Sequence, residues 1–363
     1  MPVARWVSQG DGYCPGVRAT ITRRLRSLTA RKTRVGVVSY DLQFFGAILD
    51  DLRAQSDLDV HLDEWETLHA HNGPATDRLI DWADVIVAEW CGPYAALASR
   101  RKRADQRLIV RVHRFELDQG LCAAVEIESV DRVVAVNDHY RQRLIEEVGW
   151  PAAKVVTIPN IVDRSRFDLP KTDAARFHVG VLGATSKRKR LDRAIDIFQQ
   201  IREADDRFTL HVKTAVPYDL KWVRDDADEM TYFADVWPAL DALIDQGGVV
   251  RYPAGPDVPS WLQDIGFVLS VSDDESFHLA PAEGMASGAV PVVYDWPGAE
   301  TVYDRRWIHA TEAEAAADIV ALGGSEQGWR DAAEEARLQA AAFAPGRVLP
   351  LWRDLIRSTG ASR

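Results

Sequence analysis

The residues of this chain best suited to chemistry are gathered in one stretch, SVSDDESFHLAPAEGMASGAVPVVYD, residues 270 to 295. Glu275 and Glu283 flank the point where an apolar β-like run gives way to a small-residue helix. Pro281 suits a first helical turn, where its missing N–H has no partner to lose, and Gly288 suits the helix end. The amides of Phe277, His278 and Leu279 then fall at or just before the helix start, unpaired and at the positive end of its dipole, which makes an anion site. A carboxylate beside such a site repels phosphate. Glu275 and Glu283 therefore suit hydroxyl groups, as a sugar or a ribose would offer. The alternative reading is an acidic helix N-terminus stabilised by its own dipole.

A second cluster lies in VGVLGATSKRKRLDRAIDIFQQI, residues 179 to 201, where Gly183 ends a β-run and Lys187, Arg188, Lys189 and Arg190 precede an amphipathic helix. Cations there can neutralise a diphosphate leaving group; a solvated basic loop or a nucleic-acid patch is the alternative. His113 ends the apolar run RLIVRVH. A His at the carboxyl end of a parallel strand points into the ligand crevice, although an isolated His is also commonly a hydrogen-bonded structural residue.

These residues need elements to hold them. Short β-branched runs recur at 34–39, 58–62, 84–90, 107–113, 131–137 and 154–160, then at 177–183, 207–213, 248–253, 266–272 and 289–295, with amphipathic stretches between them. Continuous apolar runs alternating with helices are what parallel sheets buried on both faces require. The polar interval 164–176, RSRFDLPKTDAAR, breaks the rhythm and reads as a hinge. The pattern predicts an α/β chain with two doubly wound, Rossmann-like domains facing a cleft: a basic extension over 1–33, a first domain over 34–168, a linker at 169–176, a second domain over 177–342, and a last helix within 343–363 that packs back on the first domain.

The 270–295 segment resembles the signature of the retaining nucleotide-sugar glycosyltransferases with the GT-B fold, family 4 type: two Glu with seven residues between them, a small-residue helix and, after Gly288, a strand carrying Pro291, Val292 and Val293, close to the family's G-x-P-V-V. The resemblance covers about residues 34 to 358. It implies a hexosyltransferase that moves a sugar from a nucleotide diphosphate sugar to an acceptor hydroxyl with retention of configuration. In that family the first Glu contacts the donor sugar and the second the ribose, which maps onto Glu275 and Glu283. Lys189 matches the family's basic residue before the helix, with Ala184 where an Arg is usual and Arg188 as its substitute. His278 stands where Gly is usual. His113 matches a His that touches the donor sugar near its C6 hydroxyl. Pro159, Asn160, Val162 and Asp163 match a segment closing the first domain, with Ile161 in place of Gly, and Gly46 is the one glycine in a loop where relatives carry two. The resemblance thus implies His113, Lys189 and Glu275 as catalytic, Gly183, Arg188, Phe277, His278, Leu279 and Glu283 as donor-binding, and Gly46 and Asn160 as acceptor or cleft residues. Phe44 and Phe45 beside Gly46 suit the core equally.

The chain has 363 residues, a formal net charge of -11, 47% hydrophobic and 27% charged residues, which excludes a fibrous repeat, extended disorder and a general nucleic-acid binder. Its three Cys, at 14, 91 and 122, form neither a disulfide framework nor a thiolate cluster. No P-loop, H-E-x-x-H or G-x-S-x-G motif is present, His69 and His71 sit in a polar loop that does not read as a metal site, and Asp226 and Asp228 read as a solvated face. The expectation is therefore no metal and no cofactor beyond the nucleotide-sugar co-substrate, an acceptor that is a glycan, a lipid-linked molecule or a small molecule, and no nucleic-acid partner. Without a long apolar run the chain reads as cytoplasmic. Arg18, Arg23, Arg24, Arg26, Arg31, Lys32 and Arg34 around Val17, Ile21, Leu25 and Leu28 suit either an anionic inner-membrane face or a solvated helix docked by one stripe. Two other readings remain open: a sugar-nucleotide epimerase or phosphorylase on the same fold, and a transferase-like subunit that binds without catalysing.

Overall fold

The computed structural model describes residues 31–358. The basic stretch proposed to meet a membrane lies largely outside the described residues; its last part, Arg31 and Arg34, pairs with Asp84 at 2.9 Å each.

All eleven runs form strands. The first sheet contains β1 (Thr33–Ser39), β2 (Leu58–Glu64), β3 (Val85–Glu89), β4 (Arg107–Val112), β5 (Arg132–Ala135) and β6 (Val155–Thr157), all parallel, in the order β2-β1-β3-β4-β5-β6. The second contains β7 (His178–Leu182), β8 (Thr209–Lys213), β9 (Val249–Tyr252), β10 (Phe267–Ser270), β11 (Val290–Tyr294) and β12 (Ile308–His309), in the order β12-β11-β10-β7-β8-β9. The two-residue β12 has no run of its own in the sequence pattern. Strands β3 and β10 are buried along their whole length, as helices on both faces demand.

Each sheet reverses direction once, between β1 and β3 and between β7 and β10. In open parallel sheets a crevice forms outside the carboxyl ends of the strands at such a reversal. The loops after β1, β3, β4, β7 and β10 carry Phe44, Trp90, His113, Gly183 and Glu275, so the topology itself gathers the candidates.

The last helix, Pro345–Arg357, returns to the first sheet. Its buried residues Val348, Trp352 and Ile356 recur every fourth position and join the cluster of Val35, Phe45, Leu52 and Val87. Trp352 meets Phe45 edge-on at 5.2 Å between ring centroids. The 164–176 interval holds a short helix, Arg164–Phe167, and Lys171, whose ammonium donates to the carbonyls of Leu262 and Ile265 at 2.6 Å and to the Ser287 hydroxyl at 2.9 Å.

Candidate active site

The cleft encloses about 380 Å³, and every candidate residue except Gly46 lines it. Gly46 instead opens the helix Gly46–Arg53, and a Cβ there would meet nothing within 4 Å. The adjacent aromatic pair divides: Phe45 is core and Phe44 lines the cleft. A cavity of about 400 Å³ lies elsewhere, beside Lys171, Arg330 and Arg337, but Arg330 is paired with Glu326 at 2.8 Å and no candidate residue lines it.

On the second sheet, Glu275 is 6% exposed. Its Oε1 accepts from Lys189 Nζ at 2.5 Å and from Ser272 Oγ at 2.8 Å, and lies 3.0 Å from Arg188 Nη1. Among the described residues Oε2 takes no bond. Burial disfavours this charge, yet Lys189 and Arg188 outweigh it and hold the carboxyl well below its usual range. Burial also pulls Lys189 down, opposed by the Glu275 carboxylate it touches. With such contact we take both as charged.

The helix Leu279–Ser287 begins where the sequence placed it, and Gly288 closes it at φ 82°. The amides of Phe277, His278 and Leu279 donate to no acceptor among the described residues. Their carbonyl sides are fixed instead: Tyr303 Oη donates to the carbonyls of Phe277 at 3.1 Å and His278 at 2.6 Å. His278 is left-handed (φ 53°), a conformation that costs a non-glycine residue about 1 kcal/mol or more. It is held by its ring, whose Nδ1 lies 2.6 Å from Ser270 Oγ. That oxygen also accepts from Trp296 Nε1 at 3.2 Å. Burial, and then Lys189, lower His278 to about 3, and the ring is neutral. Burial pushes Glu283 up to about 7, with Arg166 acting against it.

Of the four cations grouped in sequence, two reach the cleft. Lys187 turns outward to Asp228 at 2.8 Å, and Arg190 pairs with Asp192 and Asp273 at 2.8 Å each. The cause is the turn Lys187–Lys189 followed by left-handed Arg190, which sends successive side chains in opposing directions. Gly183 is also left-handed (φ 77°) beside the cleft, where a Cβ would be strained. Ala184, at the family's Arg position, is fully buried.

On the first sheet, His113 is 5% exposed, with Nε2 3.0 Å from Glu89 Oε1. The same oxygen accepts from Arg111 Nη1 at 3.1 Å, and Arg111 Nη2 donates to Asn160 Oδ1 at 2.5 Å. Burial lowers His113, with Glu89 opposing. The ring packs on Trp90 at 4.1 Å and Phe44 at 5.1 Å between centroids. Among the described residues no group of three or more His, Cys, Asp or Glu side chains is placed to hold a metal, and no helix is long and apolar enough to cross a membrane.

Residues 16–166 match the family described as Glycosyltransferase Family 4. The fold matches HepE of Anabaena, solved in complex with UDP, at TM-score 0.69 and 15% identity over 90% of this chain and 100% of that one. It also matches sucrose-phosphate synthase from Thermosynechococcus elongatus at TM-score 0.69 and 12% identity, and a glycosyltransferase from Rickettsia africae at 0.65 and 13%, each over 90% of this chain and 98% of the other. The chain has the GT-B fold, and its first half carries a match to the Glycosyltransferase Family 4 model. Among curated proteins its sequence has no match.

Several polar residues behind the lining of this cleft were not singled out from the sequence: Glu89, Arg111, Asn137, Tyr140 and Asp274. Two of them carried a signal. Glu89 and Arg111 are charges inside apolar runs, DVIVAEW and RLIVRVH, and a fully buried charge is kept only with a partner. Trp90, at φ 73°, left no such trace.

Proposed function

We propose that this protein is a glycosyltransferase that moves the sugar of a UDP-sugar to an acceptor hydroxyl with retention of configuration. The observation that carries the reading is the turn at 277–279, whose amides have no partner among the described residues and open on the same cleft as Lys189, Arg188 and Glu275. Bare amides at a helix N-terminus favour phosphate. UDP is favoured as the nucleotide because HepE was solved with UDP and with UDP-glucose, and a pneumococcal O-GlcNAc transferase with UDP and GlcNAc.

In this reading the diphosphate sits on the amides of Phe277, His278 and Leu279, with Lys189 and Arg188 neutralising the charge that develops as the glycosidic bond breaks. Oε2 of Glu275 is left for donor hydroxyls, Glu283 for the ribose, and His113 for the far side of the sugar. The leaving diphosphate takes the acceptor proton on the face it departs from, which retains configuration. Asn160 and Phe44 face the space left for the acceptor.

A thermal-shift panel of UDP, GDP, ADP and TDP sugars tests the donor class. UDP sugars are expected to raise the melting temperature most. Equal shifts for all four, or none, would overturn the choice of donor, and retention is read from the anomeric configuration of the product.

A further inference from the structure

The turn that carries Glu275 is held from the opposite half of the molecule. Asn137 caps the helix Asp138–Glu146 of the first domain: its Oδ1 accepts from the Tyr140 amide at 2.7 Å, which turns Nδ2 outward to donate to the carbonyl of Ser276 at 2.6 Å. One turn further on, Tyr140 Oη lies 3.2 and 3.1 Å from the two carboxylate oxygens of Asp274. Asn137 and Tyr140 are 2% and 1% exposed, so both are committed to this contact. Arg114 approaches the same carboxylate at 3.9 Å, and Arg188, which lies against Glu275, donates to the carbonyl of Asp274. Nearby, Gly298 lies so close to His139 that a Cβ would come within 2.4 Å of His139 Cβ.

Asp274 and Ser276 bracket Glu275 in sequence and precede the bare amides. On one side Tyr140 holds the Asp274 carboxylate, and on the other Asn137 holds the Ser276 carbonyl. We propose that Tyr140 and Asn137 are positioning residues, which set Glu275 and the 277–279 amides in their working geometry only when the two halves are together. Neither touches the reacting atoms. This rests on the donor-site reading above, and it makes closure of the cleft and assembly of the donor site one event, so that an open molecule has no complete site to waste donor on.

The test is a double-mutant cycle in the full chain on Tyr140→Phe and Asp274→Ala, with Asp274→Asn as the conservative variant, following UDP release from UDP-glucose. Tyr140→Phe removes one oxygen and leaves the Asn137 cap intact, so its melting temperature is expected to match wild type. Losing one hydrogen bond to a charged group is expected to lower kcat about tenfold. KM should stay within about twofold, because the second domain still carries the donor contacts. Asp274→Asn keeps an acceptor for Tyr140 and should retain most of the rate, and the double variant should be no slower than the slower single one. Additive losses, or wild-type kcat in Tyr140→Phe, would overturn the proposal. Small-angle scattering separates this from failure of the functional reading. The radius of gyration should rise in Asp274→Ala whether or not any sugar is transferred, and an unchanged radius would show that the contact does not hold the halves together.

Discussion

Lys189 and Glu275 meet at 2.5 Å with side chains only 20% and 8% exposed, so the most buried charge in the cleft is paired before any ligand arrives. Truncating Glu275 to Ala would leave the Lys189 and Arg188 charges together without their shared carboxylate, at a cost to the fold of about 3 to 5 kcal/mol, while truncating Lys189 leaves Glu275 with Arg188 and should cost less. Shape-preserving changes separate chemistry from folding. Glu275→Gln and Lys189→Met are each expected to cost about 2 to 4 kcal/mol in transition-state stabilisation, measured as kcat/KM, and the double variant less than their sum. Wild-type turnover in both single variants would remove these residues from the mechanism.

Glu283 gives the site a pH dependence. Its folded value of about 7 lies above the ordinary 4.5 because burial penalises the carboxylate. A raised folded value means that the stabilisation from the neutral acid is fully present below 4.5 and lost as pH rises through 7. Glu283→Gln should therefore melt higher than wild type at pH 8, by roughly 1 to 3 kcal/mol in stability, with the gain vanishing toward pH 5. Donor affinity should move the opposite way in the wild type, weakening below pH 7 as the carboxylate that accepts the ribose hydroxyl is protonated. Melting curves and calorimetric titrations across that range check both signs.

Trp352 ties the end of the chain to the first sheet. It is fully buried, edge-on to Phe45, with the Arg111 guanidinium 5.7 Å from its ring centroid. Trp352→Ala should lose about 3 to 5 kcal/mol in denaturant unfolding. Because Arg111 also holds Asn160 and Glu89, the variant should lose transfer activity before it loses the fold. A loss under about 1 kcal/mol would mean the last helix does not stabilise the first domain.

The sheets were legible because buried parallel strands must be continuous apolar runs, and each such run became a strand. The helix after Glu275 was legible because Pro281 and Gly288 mark its first turn and its end. What the sequence hid is what depends on side-chain direction and on the other domain. Spacing alone does not separate Lys187, Arg188, Lys189 and Arg190; the family resemblance picks out Arg188 and Lys189, and these are the two that line the cleft. Tyr140 and Asp274 are 134 positions apart, and no spacing rule joins them. Gly46 looked like a place for close backbone approach, but it faces open space because the cleft wall is built by Phe44 and Trp90 instead.

The most direct test of the donor site is a crystal structure of the full chain with UDP. The expected result places the diphosphate oxygens within about 3 Å of the amides of Phe277, His278 and Leu279, with Lys189 and Arg188 alongside and a ribose hydroxyl on Glu283. A diphosphate bound elsewhere, with those three amides still empty, would contradict the assignment of this cleft as the donor site.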